Sequence, residues 1–197
     1  MARSVARRIG IAAAAVVVAL GAIVALQPER FRIERSALVH APAEVVFALI
    51  DDFHQWSRWS PYEKRDPDMV RTFEGSVTGP GAVYAWDGNG DVGKGRMTIL
   101  RSEPGELVAI ELQFFEPMAA TNQARFELTP GEGGTWVRWS MEGSNGFLGK
   151  AISLVIDMDA MVGRDFEQGL ADLDAAARAD TQRLGRADPA GHRSSFP

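Results

Sequence analysis

Met158, Met161, Val162, Phe166, Leu170, Leu173 and Ala177 recur at three- to four-residue spacing near the end of the chain. That spacing predicts a long helix with one continuous apolar face. Asp159, Glu167, Asp172 and Asp174 fall mostly away from the stripe and read as a solvated face. A helix of this kind must bury its stripe on another element with a large apolar surface. The only such surface the rest of the chain offers is a sheet.

Phe31–His40 alternates apolar and polar positions and reads as a first strand. Ala41-Pro42 then opens a helix that ends near Asp52. Proline suits a first helical position and Glu44 suits the positive end of the helix dipole. Val45, Val46, Ala48, Leu49 and Ile50 supply its buried side. A loop marked by Trp56, Trp59 and Pro61 follows. Six further strands are expected, at Met69–Glu74, Ala82–Trp86, Gly95–Ser102, Leu107–Phe115, Thr121–Leu128 and Thr135–Glu142. Turn chemistry separates them: Thr78-Gly79-Pro80-Gly81, Asp87-Gly88-Asn89-Gly90, Glu103-Pro104-Gly105 and Pro130-Gly131-Glu132-Gly133-Gly134. Short strands with short connections predict an antiparallel meander. The apolar stretch from Phe147 to Ile156 forms a separate short helix in this reading. The folded domain is expected over residues 31–178, with a loose polar tail over 179–197.

The opposite end of the chain is different in kind. A short basic tail, residues 1–8, carries Arg3, Arg7 and Arg8. Ile9–Leu26 is then uncharged for 18 residues. As a helix that run spans about 27 Å, close to the hydrocarbon thickness of a bilayer. It is longer than a usual signal-peptide core and closes on Ala25-Leu26-Gln27-Pro28, a poor cleavage site. The expectation is an uncleaved transmembrane signal-anchor at 9–26 and a linker at 27–30. This makes a single-pass inner-membrane protein whose folded domain lies on the extracytoplasmic side.

Composition narrows the chemistry. There is no cysteine, which excludes disulfides, thiolate metal sites and thiol catalysis. Net charge is −5 although residues 1–26 contribute three arginines and no acid, so the remainder is more acidic still and suits no nucleic-acid partner. His40, His54 and His192 include no pair at metal-ligand spacing. Asp51 and Asp52 point about 100° apart on a helix and do not converge on one atom. Gly88, Gly90, Gly93 and Gly95 lie between hairpin strands, with no following helix to hold a phosphate. No metal, nucleotide or flavin cofactor is expected.

The phrases ALVHAPAEVVFALIDDFHQWSRWSPY, GPGAVYAWDG, VGKGRMTI, TWVRWSMEG and GRDFEQGLADLDAAA give the chain a specific resemblance. Over about residues 31–178 it resembles the SRPBCC superfamily: START domains, the birch-pollen allergen group and polyketide cyclase/dehydrase-like lipid-transport proteins. The resemblance implies an α+β helix-grip fold, a seven-stranded antiparallel β-sheet wrapped around a long C-terminal α-helix, with an apolar cavity between them. None of the phrases is a catalytic signature.

Alternation assigns the inward face of that sheet. Val108, Ile110, Leu112 and Phe114 share one face of their strand; Ala124, Phe126 and Leu128 share another; Val137, Trp139 and Met141 a third. Tyr84 with Trp86, and Met97 with Ile99, accompany them. Each of these side chains serves a filled core equally well; together they suit an apolar ligand. The expected ligand contacts are Trp56, Trp59, Tyr84, Trp86, Met97, Ile110, Leu112, Phe114, Phe126, Trp139, Met141, Met158, Met161, Val162 and Phe166. Trp56 and Trp59 either pack over one end of the domain or form a lid. The Tyr84 hydroxyl and Trp86 indole N–H could orient a polar head. Gly169 falls on the inward face of the last helix and leaves room for a close backbone approach or for ligand, and Gly163 lies beside the stripe. The first functional reading is a membrane-anchored carrier for a lipid or other hydrophobic small molecule. A polyketide cyclase/aromatase-like enzyme is the second, thinly supported because only Tyr84, Asn122 and Thr135 offer polar groups inside. The third is a protein-interaction or stress-response module with a filled core.

Overall fold

The computed structural model describes residues 15, 16 and 18–187. They belong to two compact units, Met1–Phe31 with Ser144–Met158, and Arg32–Gly143 with Asp159–Pro197.

The second unit is built on seven antiparallel strands. They are β1 (Arg30–Val39), β2 (Val70–Gly75), β3 (Ala82–Asp87), β4 (Lys94–Glu103), β5 (Leu107–Glu116), β6 (Ala120–Gly131) and β7 (Gly134–Ser144). The sheet order is β1-β7-β6-β5-β4-β3-β2. From β2 onward every strand therefore pairs with its successor, as short turns require, and β1 closes the far edge against β7. Helix α1 (Ala43–Asp51) connects β1 to the rest. Pro42, expected at the first helical position, is instead the cap residue, with φ −59° and an extended ψ of 148°, and Val46, Leu49 and Ile50 are buried. The chain leaves the helix at Asp52, whose carboxylate accepts the His54 backbone N–H at 2.9 Å and starts a 3-10 turn, Phe53–Arg58. A second 3-10 turn follows at Pro61–Lys64.

In the first unit residues 15, 16 and 18–25 are helical, and a short helix α2 covers Phe147–Ile152. The Asn145 backbone N–H donates to the Glu29 carbonyl at 2.7 Å, and Lys150 pairs with Glu29 at 3.5 Å. The placement of this chain as a single-pass inner-membrane protein with an extracytoplasmic domain is corrected here. Among the described residues no helix is long and apolar enough to cross a membrane. Residues 9–14 and 17 of the expected span, like residues 1–8, lie outside the described residues.

The long helix α3 runs from Met158 to Ala187. Residues 179–187, expected in a loose tail, are thus helical, and 188–197 lie outside the described residues. Val162, Phe166, Leu170, Leu173 and Ala177 are buried, as their spacing requires. The acidic positions are not simply solvated. Arg35 of β1 reaches Asp159 at 3.0 Å and Glu167 at 2.8 Å. From the 3-10 turns and the residue after them, Arg58 pairs with Asp180 at 2.7 Å, Lys64 with Asp172 at 2.6 Å, and Arg65 with Asp165. Both edges of α3 are tied to the segments that flank it.

Candidate functional site

Strand register arranges the inward side chains in transverse rows. The first row is Val108, Phe126 and Trp139. The second is Ile99, Ile110, Ala124 and Met141. The third is Phe73, Tyr84, Met97, Leu112 and Asn122. The fourth is Arg71, Trp86, Gly95, Phe114 and Ala120.

The first row is filled. Trp139 stacks on Phe166 of α3 with ring centroids 4.0 Å apart and planes 9° from parallel, and packs on Phe126 at 4.8 Å. Trp59 meets both edge-on at 5.8 Å, and Trp56 lies 4.7 Å from Trp59. The two indoles donate to the last carbonyls of α1: Trp56 Nε1 to Ile50 and Trp59 Nε1 to Leu49, each at 2.9 Å. These bonds satisfy helix-end acceptors that would otherwise stay unpaired. Of the two expectations for this loop, packing over the domain is what the geometry shows. A Cβ built on Gly169 would stand 2.7 Å from Trp139 and 3.1 Å from Pro61, so α3 approaches this cluster with its backbone.

Burial relaxes toward the other end. Ile110 is sealed, Met97 and Met141 are nearly so, and Leu112, Phe114 and Trp86 are only half-buried. Trp86 lies over Gly95 and meets Phe114 edge-on at 5.9 Å. On α3, Val162 is buried while Met161 is 41% exposed. Met158 is half-exposed and belongs to the first unit, so the rows and α3 from Asp159 onward define the site without it. Of the expected residues, Trp86, Leu112, Phe114 and Met161 therefore keep exposed apolar surface in this half, and Met97, Met141 and Val162 are buried beside them. Trp56, Trp59, Phe126, Trp139, Phe166 and Ile110 make its packed base.

The polar handles behave differently from expectation. The Tyr84 hydroxyl donates to Glu63, whose other oxygen takes Arg71 Nε at 2.7 Å. Burial first, then the neighbouring Glu63 carboxylate, raises the Tyr84 hydroxyl well above the ordinary phenol range. The Trp86 N–H donates to the Val92 carbonyl at 3.0 Å, and the Thr135 hydroxyl to the Ala41 carbonyl at 2.9 Å. Neither Tyr84 nor Trp86 presents its donor to a ligand in this arrangement. Glu63 gives no sequence signal, because it lies in a loop without periodicity, whereas Arg71 sits in the expected strand Met69–Glu74 on the same face as Phe73. Phe73 was legible: in VRTFEG it sits at the strand position opposite Tyr84, and it stacks between Tyr84 at 5.1 Å and His54 at 4.2 Å. His54 is otherwise held by Asp52 at 2.8 Å, a turn contact.

A separate surface depression of about 450 Å³ is lined by His40, Ala41, Pro42, Ala43, Glu44, Pro130, Gly133, Gly134 and Thr135. It is an open hollow between the β1–α1 turn and the β6–β7 hairpin. None of the expected ligand residues lines it, and its one buried hydroxyl is the Thr135 group already bonded to Ala41. Among the described residues no cluster of His, Asp and Glu could hold a metal.

A seven-stranded antiparallel sheet with one long helix on its apolar inner face defines a helix-grip domain. The profile of one such family, polyketide cyclase / dehydrase and lipid transport, matches residues 30–178, and the chain belongs to it. Solved structures share the fold at low identity. A protein of unknown function from Staphylococcus aureus is 17% identical, with a TM-score of 0.57 over 78% of this chain and 97% of its own. The Aha1 dimer from Colwellia psychrerythraea is 16% identical, with a TM-score of 0.53 over 75% of this chain and 96% of its own. The di-domain ARO/CYC StfQ from the steffimycin biosynthetic pathway is 12% identical, with a TM-score of 0.56 over 80% of this chain; the match spans about half of that chain, 52%. No curated protein matches the sequence.

Proposed function

We propose that this domain binds a hydrophobic small molecule against the third and fourth rows of the sheet, under the first turns of α3. The observation that carries the reading is the gradient of packing along one face. Phe126, Trp139 and Phe166 interlock at one end, while Trp86, Leu112, Phe114 and Met161 keep part of their apolar surface exposed at the other. Large side chains left half-wet beside a sealed core suit an apolar ligand that completes the packing. Methionines at Met97, Met141 and Met161 adapt to varied ligand shapes. The family, which includes both cyclases and lipid-transport proteins, supports the same class of ligand.

Binding rather than catalysis is the reading favoured by the polar groups. Acid–base chemistry needs a side chain free to exchange a proton with the substrate. The Tyr84, Trp86 and Thr135 donors are engaged by Glu63, Val92 and Ala41.

Titration with N-phenyl-1-naphthylamine tests this. The protein should give saturable fluorescence enhancement. Leu112→Glu would place a charge on the half-buried row and should weaken binding at least about tenfold. Glu111→Gln, on the opposite face of β5, should leave it unchanged. Loss in both variants, or in neither, with circular dichroism retained, would contradict the reading.

A further inference from the structure

Three polar side chains were expected on the inward face, and two are engaged within the protein. The third is Asn122. It is 7% exposed and sits at the end of the row Tyr84, Met97, Leu112, Asn122. Among the described residues the one hydrogen-bond partner of its side chain is weak: Nδ2 lies 3.9 Å from Met141 Sδ. A side-chain amide has two donor hydrogens and an oxygen with two acceptor sites, so most of its capacity is unused. Among the described residues no fully buried side-chain polar atom lacks a partner. The Asn122 oxygen is therefore not fully sealed, and the residue pairs across the sheet with half-buried Leu112. Its neighbours there are apolar: Leu112 directly across β5, Ala124 two residues along β6, and Met141 on β7.

We infer that Asn122 selects the ligand. Resting on the hydrophobic-ligand reading above, this narrows the class to a neutral, largely apolar molecule that carries a carbonyl or hydroxyl oxygen placed to meet the amide. Neutrality follows from the surroundings. The charged group on the adjoining row, Arg71, is held by Glu63 at 2.7 Å and by the Met69 carbonyl at 2.8 Å, so it is not available as counter-ion to an ionised head. An ionised group beside an amide in an apolar setting would lose its hydration without compensation. A ligand with no oxygen at all would leave the amide desolvated and unpaired, which is the basis of selection.

The test uses three probes of one shape: 2-ethylnaphthalene, 2-acetylnaphthalene and 1-(2-naphthyl)ethanol. Affinities for the full chain are compared after correction for octanol–water partition. The wild type should bind at least one oxygenated probe about three- to tenfold tighter than 2-ethylnaphthalene, the range of one hydrogen bond. Asn122→Leu, close to isosteric, should abolish that preference and still bind 2-ethylnaphthalene. Its melting temperature should equal or exceed that of the wild type, because the amide holds no strong partner in the fold. A preference that survives in Asn122→Leu, or equal affinities in the wild type, overturns the role of Asn122 and leaves the apolar site standing. Failure of all three probes to bind the wild type overturns the apolar site and this inference with it. Unfolding of both Asn122→Leu and Asn122→Ala would mark the amide as structural and overturn the inference directly.

Discussion

Gly169 lies where α3 crosses Trp139, with Pro61 on its other flank. A methyl group there has to displace an indole that is itself stacked on Phe166 and packed on Phe126. Gly169→Ala should therefore lower stability by about 1–3 kcal/mol through overpacking, although alanine favours the helix. Urea unfolding checks this, and unchanged or raised stability would contradict the close approach. Gly163 is a different case, because an added Cβ would collide with the guanidinium of Arg35, which is flexible and can move aside. Tyr84 carries the other sharp expectation at this scale. Tyr84→Phe keeps the ring between Phe73 and Phe53 but strips a donor from the buried Glu63 carboxylate. The expected loss is about 1–3 kcal/mol in the same measurement, the desolvation of an acceptor left short of a partner. A neutral result would mean that Arg71 alone satisfies Glu63.

At the scale of elements, the strands were legible to within one or two residues, except that β6 runs on through Pro130 and Gly131, which were expected in the turn. Alternation in FRIERSALVH and LVAIELQFFE and the Gly/Pro turns between strands are local signals, and the sheet obeys them. What α3 does with its charges was not legible. Periodicity shows that Asp172 and Glu167 leave the apolar stripe, but it cannot show that Lys64 and Arg35, more than a hundred residues away, lie beside them. The same blindness explains the missed last turns of α3. Residues 179–187 lack an apolar stripe, yet Asp180 is held by both terminal nitrogens of Arg58, at 2.7 and 2.8 Å. Arg58 holds the Asp180 carboxyl below its ordinary value of 3.8. A carboxylate depressed in the folded state contributes stability above its unfolded pKa, and that contribution is lost as pH falls through the folded value. Arg58→Ala should therefore reduce stability by about 0.5–1 kcal/mol at neutral pH, after allowance for solvent screening. The deficit should shrink as pH falls below the ordinary carboxylate value and be lost as the folded-state carboxyl is protonated. Urea midpoints taken from neutral to acid pH check this. A deficit that persists undiminished into acid would show that Arg58 acts through packing instead.

At the scale of the whole molecule, the inward face of the second unit divides into a filled half and a partly open half, and sequence alternation could not tell the two apart. Phe126 and Leu112 have the same pattern of inward placement, yet one is sealed by three tryptophan side chains and the other is half-buried. The difference lies in where the Trp56–Trp59 loop and α3 come to rest, which is tertiary information. The chain's methionines report on that division. Met97 and Met141 lie on the face of the proposed site and Met161 above it on α3, while Met69 precedes β2 and Met118 lies in the β5–β6 turn. Methionine-methyl NMR of the full chain, titrated with 2-ethylnaphthalene, reads the site directly. The account predicts saturable shifts of the Met97, Met141 and Met161 methyls with one common dissociation constant, and still resonances for Met69 and Met118. Shifts confined to Met69 and Met118, or no saturable shift at all, would contradict it.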